Sequence, residues 1–156
     1  MQLKVKGNSM KQVKSLVSGK RLTFVKPEMT VFETVAKMAG TKIGAVIVLD
    51  DSKLVGIFTE RDLLNRVVSV GKDPQKTKIS DVMTKDVAVC NSDDTYESCL
   101  AQMRQIGCRH MPIVEGDKLL GVLSIRDLLR HHISVQDAEI KMMSSLYKYQ
   151  PPDMEY

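Results

Sequence analysis

The chain reads as a mixed α/β protein built from two tandem β-α-β-β-α repeats, and three observations carry that reading. The hexapeptide TERDLL (59–64) returns as SIRDLL (124–129). Each copy follows an apolar run broken by one glycine, LVGIF (54–58) and LLGVL (119–123). Placing residue n over residue n+65 needs no gap from Val17 to Arg130, as an internal duplication should. Val17/Val82, Lys20/Lys85, Thr30/Thr95, Ala36/Ala101, Met38/Met103, Gly56/Gly121, Arg61/Arg126 and Asp62/Asp127 are identical across that offset.

Within each copy the elements follow in order. RLTFV (21–25) and VAVC (87–90) are short β-branched runs read as opening strands. Thr30 and Thr95 follow polar stretches and are suited to cap a helix. In the second copy Tyr96, Cys99, Leu100 and Met103 recur at i, i+3, i+4 and i+7, with Val31, Thr34, Val35 and Met38 at the matching places. That spacing predicts an amphipathic helix with one buried face. IGAVIVLD (43–50) reads as a strand, DSK (51–53) as a turn and LVGIF as its hairpin partner. Gly56 and Gly121 sit inside strands, where glycine signals a close backbone approach. A second helix places Leu63, Leu64, Val67 and Val68 on one face and stops at Gly71. VGKDPQK (70–76) links the copies. From Arg126 a helical pattern runs through Ile133, Ile140, Met143 and Tyr147, with a break near Ser134, until Pro151–Pro152 end it.

The domain organisation expected is 1–71 for the first repeat with its N-terminal segment, 72–133 for the second, and 134–156 for a C-terminal helical tail that covers a neighbour. Units of about 60 residues are only marginally stable alone, so the copies should pack on each other. No apolar run approaches the roughly 20 residues that span a bilayer, which argues against a membrane partner. The net charge of +4 is weighted toward the start, where Lys4, Lys6, Lys11, Lys14, Lys20, Arg21 and Lys26 precede the first acid, Glu28. Most of this segment falls within the repeat, so it reads as a basic or phosphate-facing surface. A transit peptide, and with it the mitochondrial matrix, is the alternative. Cys90, Cys99 and Cys108 form no CxxC pair and are odd in number, which suits unpaired thiols in an intracellular, cytoplasmic setting.

The repeated Thr59-x-x-Asp62 and Ser124-x-x-Asp127 admit two readings. A capping box would satisfy them without any ligand, although aspartate is shorter than the usual glutamate and is expected to reach back poorly. Alternatively, a helix opening at a strand end presents free amides and a positive dipole end to phosphate. A carboxylate one turn in accepts hydrogen bonds from a ribose diol, and Arg61 and Arg126 can fork onto phosphate oxygens. His131 and His132 are adjacent on a helix, diverge by roughly 100° and cannot chelate one metal together, so no metal site is expected. The ten methionines read as core filler.

Strand-helix-strand-strand-helix, duplicated, with Gly-h-h-[Thr/Ser]-x-x-Asp at the start of the last helix, resembles a pair of CBS domains. GCRHMPIVEGDKLLGVLSIRDLL (107–129) and IGAVIVLDDSKLVGIFTERDLL (43–64) carry the resemblance. It implies two units packed about a pseudo-two-fold axis, leaving two clefts for adenosine-type ligands such as AMP, ADP, ATP, NADH or S-adenosylmethionine. It further implies that Asp62 and Asp127 hold ribose and that Thr59 and Ser124 lie at the sugar or phosphate. Ile43, Gly44 and Ala45, and Arg109, His110 and Met111, would line base and phosphates. Because Arg109 and His110 stand where the first copy has Gly44 and Ala45, the clefts should differ. His110 as a satisfied interior histidine is the alternative.

The function expected is therefore a regulatory or sensor module with an adenine nucleotide as regulatory ligand, no required cofactor and no catalysis. A homodimer is implied, since pairs in this family associate through their helices; a regulated protein partner is not identifiable. The rival readings are a ligand-free dimerisation scaffold and a nucleic-acid-binding protein. Few aromatics and dispersed charge count against the latter.

Overall fold

The structure is a computed structural model and describes residues 12–147. Lys4, Lys6 and Lys11 of the basic start, and Tyr149 and the Pro151–Pro152 stop, lie outside the described residues. The elements run α1 (Val13–Val17), β1 (Phe24–Val25), α2 (Val31–Thr41), β2 (Ala45–Asp50), β3 (Lys53–Thr59), α3 (Glu60–Leu63), β4 (Cys90–Asn91), α4 (Tyr96–Ile106), β5 (His110–Glu115), β6 (Lys118–Ser124) and α5 (Ile125–Tyr147). They form two three-stranded sheets, β1-β2-β3 and β4-β5-β6. In each, the short first strand is parallel to the second, and the second is antiparallel to the third. The opening strands are shorter than RLTFV and VAVC suggested.

The duplication extends to fine detail. Both hairpins pair a strand residue with the central glycine, Val48 with Gly56 and Ile113 with Gly121, and both carry a register shift beside that pair. The first hairpin turns through Asp51 and Ser52, at φ 45° and 68°, as the favoured two-residue hairpin turn requires. Thr30 and Thr95 cap α2 and α4 through hydrogen bonds from the Glu33 and Ser98 amides. Val31, Thr34 and Met38 on α2, and Tyr96, Cys99 and Met103 on α4, are buried, so the helical spacing marks the core face.

Packing is crosswise. The core of the first sheet gathers Val25, Val46, Val48, Phe58 and Val67, and is completed by Ile79, Val82 and Met83 from the segment beyond the linker. The second core gathers Cys90, Cys99, Met103, Met111, Ile113 and Leu123, and is completed by Val13 and Val17 of α1. Each copy's leading segment therefore seats on the other copy's sheet. This explains the strand glycines. A Cβ at Gly56 would stand 2.4 Å from Met83 Sδ and 3.1 Å from the Thr84 carbonyl; one at Gly121 would stand 3.0 Å from Val17 Cβ.

Two helical expectations are corrected. After α3 the chain widens into a π-helical turn, Leu64–Val68. Val67 is buried there, while Leu64 and Val68 face outward, about 60% exposed each, as does Leu129, the counterpart of Leu64 on the regular helix α5. Gly71 does end this segment, at φ 68°. The second change concerns Ser134, where no break occurs: α5 is continuous over 23 residues. A lone serine costs a helix interior only a few tenths of a kcal/mol, too little to stop it. Leu128 anchors α5 in the second core, and Tyr96 holds it from the side, edge-on to His131 and 3.3 Å from His132 Nδ1. Beyond that point Ile133, Ile140, Met142 and Met143 are exposed.

Candidate functional site

Two clefts open where the repeats meet, and each takes its walls from both copies. The larger, of about 790 Å³, is lined by the 20–23 loop, the end of α2 with Lys42–Ala45, Glu60, Arg109, His110, and the β6–α5 junction with Ser124, Arg126, Asp127 and Arg130. The smaller, of about 350 Å³, is lined by Gly44, Thr59, Arg61, Asp62, Arg66 and Thr84 together with Ile106–His110. Both volumes fall in the range of small-molecule sites.

The two aspartates occupy equivalent places in different states of engagement. Thr59 donates its N–H (2.9 Å) and hydroxyl (2.9 Å) to Asp62 Oδ2, and its oxygen accepts the Asp62 N–H. Ser124 repeats this with Asp127 Oδ2 at 2.8 and 2.7 Å. Both capping boxes are formed, which corrects the expectation that aspartate reaches back poorly: the cap residue is extended at the strand end and brings its N–H to the short carboxylate. The second oxygens differ. Asp62 Oδ1 accepts from the Thr84 hydroxyl (3.2 Å) and lies 3.4 Å from Arg66 Nη1, so Asp62 is 8% exposed with both oxygens engaged. The Asp127 contacts among the described residues all fall on Oδ2, where Lys20 Nζ joins at 2.9 Å. Its Oδ1 is left to the larger cleft.

Burial pushes the Asp127 carboxyl up, but the Ser124 amide and hydroxyl and the Lys20 ammonium outweigh it and hold the group below its ordinary value. His110, half-buried, is lowered by burial and then by Arg109, with Glu60 and Asp127 pulling weakly the other way. A lowered histidine favours the neutral ring at neutral pH.

The expected site residues distribute as follows. Ile43, Ala45, Ser124, Arg126 and Asp127 line the larger cleft, Thr59, Arg61 and Asp62 the smaller, and Gly44, Arg109 and His110 line both. Met111 lines neither. It is fully buried in the second core, because strand alternation turns it away from the cleft that its neighbour His110 faces. Arg61 also donates to the Gly107 carbonyl across the repeats at 3.3 Å. The backbone position of Arg109 matches that of Gly44: their carbonyls accept from Ile125 and Glu60, the first residues of α5 and α3. A Cβ at Gly44 would meet the Glu60 carboxylate at 3.3 Å. Sequence reasoning missed Lys42, Glu60, Thr84 and Arg130 as site residues. Lys20, identical to Lys85 across the offset, entered it only as part of the basic, phosphate-facing start.

Two α/β units duplicated in tandem, each leading segment exchanged onto the other core and two inter-repeat clefts with a capped aspartate, define a paired cleft module. The CBS domain family model matches residues 13–69 and 79–134, and the chain belongs to that family, with two copies in tandem. It is 34% identical over 135 residues, 86% of its length, to the CBS domain-containing protein CBSCBSPB2 of Arabidopsis thaliana, of which it spans only about a quarter. The CBS-domain containing protein ATU1752 from Agrobacterium tumefaciens superposes with a TM-score of 0.73 at 34% identity, over 78% of this chain and 98% of that one. A hexameric CBS-CP12 protein from bloom-forming cyanobacteria matches with a TM-score of 0.69 at 27% identity, over 76% of this chain and 70% of that one. Among the described residues no helix is long and apolar enough to cross a membrane.

Proposed function

We propose that this chain is a regulatory sensor that binds an adenine nucleotide, one per chain, in the larger cleft. The observation that carries this reading is the contrast between the aspartates. A ribose diol needs acceptors facing the cleft, and Asp127 offers one while Asp62 has its lone pairs taken by Thr59, Thr84 and Arg66. Around Asp127 the cleft gathers Lys20, Arg21, Lys42, Arg109, Arg126 and Arg130 against only Glu60 and Asp127 itself. That excess of cations suits a ligand with phosphates. The protein acts by changing shape or assembly; a cytoplasmic location suits the free Cys90, Cys99 and Cys108.

A thermal-shift panel of AMP, ADP, ATP, NADH and S-adenosylmethionine tests the reading. A ligand at 100 times its dissociation constant adds about 2.7 kcal/mol, worth several degrees at this size. Silence across the whole panel returns the motif to helix capping and the protein to a scaffold.

We also propose a homodimer through α5. Ile133, Ile140 and Met143 stand on one side of the helix, 57%, 61% and 62% exposed, an apolar stripe that a partner helix would cover. Light scattering is expected to give twice the 17.5 kDa chain mass, and Ile140→Asp to return it to one. A native chain that runs at 17.5 kDa in micromolar solution contradicts the dimer.

A further inference from the structure

The cysteines that the sequence presents as unpaired thiols are brought together in the second unit. Cys90 opens β4 and Cys99 lies in the first turn of α4; both are buried in the second core, and the two thiols hydrogen-bond to each other. The Cys90 thiol also donates to Asp94 Oδ2 at 3.2 Å, an oxygen that accepts the Asn91 amide at 2.9 Å. The first copy has no such pair. Its residues at the matching places are Val25 and Thr34, buried in the same way. The third thiol, Cys108, is half-buried and lines the smaller cleft. Cys90 and Cys99 bracket the loop that receives the exchanged segment, since the Val13 and Lys14 amides donate to the Asp94 and Ser92 carbonyls.

We infer that Cys90 and Cys99 are a redox-active pair that closes to a disulfide under peroxide, fastening β4 to α4 on either side of that loop. As folded, the pair is protected: burial pushes both thiols up, and a protonated thiol is a poor nucleophile. Reaction therefore waits on local opening. β4 supplies it, being two residues long and paired on one side only, to β5, and elements held by so few bonds open well below the free energy of global unfolding. When water and peroxide enter, one thiolate attacks a peroxide oxygen, the O–O bond breaks, and a sulfenic acid and hydroxide form. The other thiolate attacks that sulfur, the S–S bond forms, and a second hydroxide leaves. The hydroxides take up the two thiol protons, so two thiols are oxidised and one peroxide is reduced to two waters. The neighbouring thiol decides the product, because it intercepts the sulfenic acid before further oxidation. Exposure alone would favour Cys108, so the buried pair and the exposed thiol give opposite expectations.

Digestion separates the two, since residues 86–104 hold no internal lysine or arginine and carry both cysteines in one tryptic peptide, while Cys108 falls in the next. The reduced native chain is treated with hydrogen peroxide without denaturant, then unfolded, labelled with a maleimide and digested. Peptide 86–104 is expected to take no label after peroxide and two labels once dithiothreitol has been added. Cys108→Ser should behave identically. The peroxide-treated chain should melt higher before dithiothreitol than after it, because the disulfide constrains the unfolded state. Cys90→Val and Cys99→Thr place the first copy's residues at the same positions, so both should fold, and neither should show that difference. A peptide that still takes two labels after peroxide, that stays unlabelled after dithiothreitol, or that needs Cys108 for its protection overturns the pair. So does a treated native chain that melts no higher before dithiothreitol than after it.

Discussion

Ile79→Ala is expected to destabilise the fold by about 2–5 kcal/mol, although the residue lies just beyond the linker and outside both sheets. Ile79 opens a single 3₁₀ turn, Ile79–Asp81, and is fully buried in the first core with Phe58 and Val67. Its amide donates to the Met29 carbonyl, and the Met83 amide returns to its own. The turn is therefore fastened to the first repeat before its side chain is counted. Truncation leaves a cavity in the first core, where Ile79 is packed with Phe58, Val67 and Val82. At about 2–4 °C per kcal/mol for a chain of this size, the melting temperature should fall by roughly 4–20 °C. A change within about 0.5 kcal/mol, typical of an exposed connecting segment, would contradict crosswise packing.

Arg109→Ala should weaken ATP at least tenfold and spare adenosine. The guanidinium is exposed at the point where the clefts meet, and a hydrogen bond to a charged group contributes about 1.5–3 kcal/mol. Removing the side chain leaves its structural role intact, since that role belongs to the carbonyl that accepts the Ile125 amide. Melting temperature without ligand should therefore hardly move. Arg61→Ala is the contrast: it lines the smaller cleft alone, and ATP affinity should change little. Equal losses for ATP and adenosine in Arg109→Ala would mean that the arginine shapes the cleft and does not meet phosphate.

Much of this was legible because it is local. The threonine caps, the buried faces of α2 and α4, and the hairpins follow from spacing within a few residues. Gly56 and Gly121 were readable as close approaches, though not what approaches them. The crosswise exchange was hidden because the repeat offset is the same whichever core a segment joins. That Val17 aligns with Val82 says they play one part, and only the fold shows Val17 in the second core and Val82 in the first. Leu64 and Val68 were misplaced because four apolar residues were read onto a face of which only Leu63 and Val67 meet the core, and Leu129 in the second copy is exposed likewise. Asp62 and Asp127 are identical in motif yet differ in availability, because the deciding partners, Thr84 and Lys20, are 22 and 107 residues away in sequence.

The central claim is that one cleft, the Asp127 cleft, holds the nucleotide. Calorimetric titration of ATP into the native chain, Asp127→Ala and Asp62→Ala tests it most directly. The account predicts one ATP per chain, at least a tenfold loss in Asp127→Ala, and near-native affinity in Asp62→Ala, whose penalty appears instead as a lower melting temperature, because Thr59, Thr84 and Arg66 lose their shared carboxylate. Two ATP per chain, or binding lost in Asp62→Ala and kept in Asp127→Ala, would contradict it.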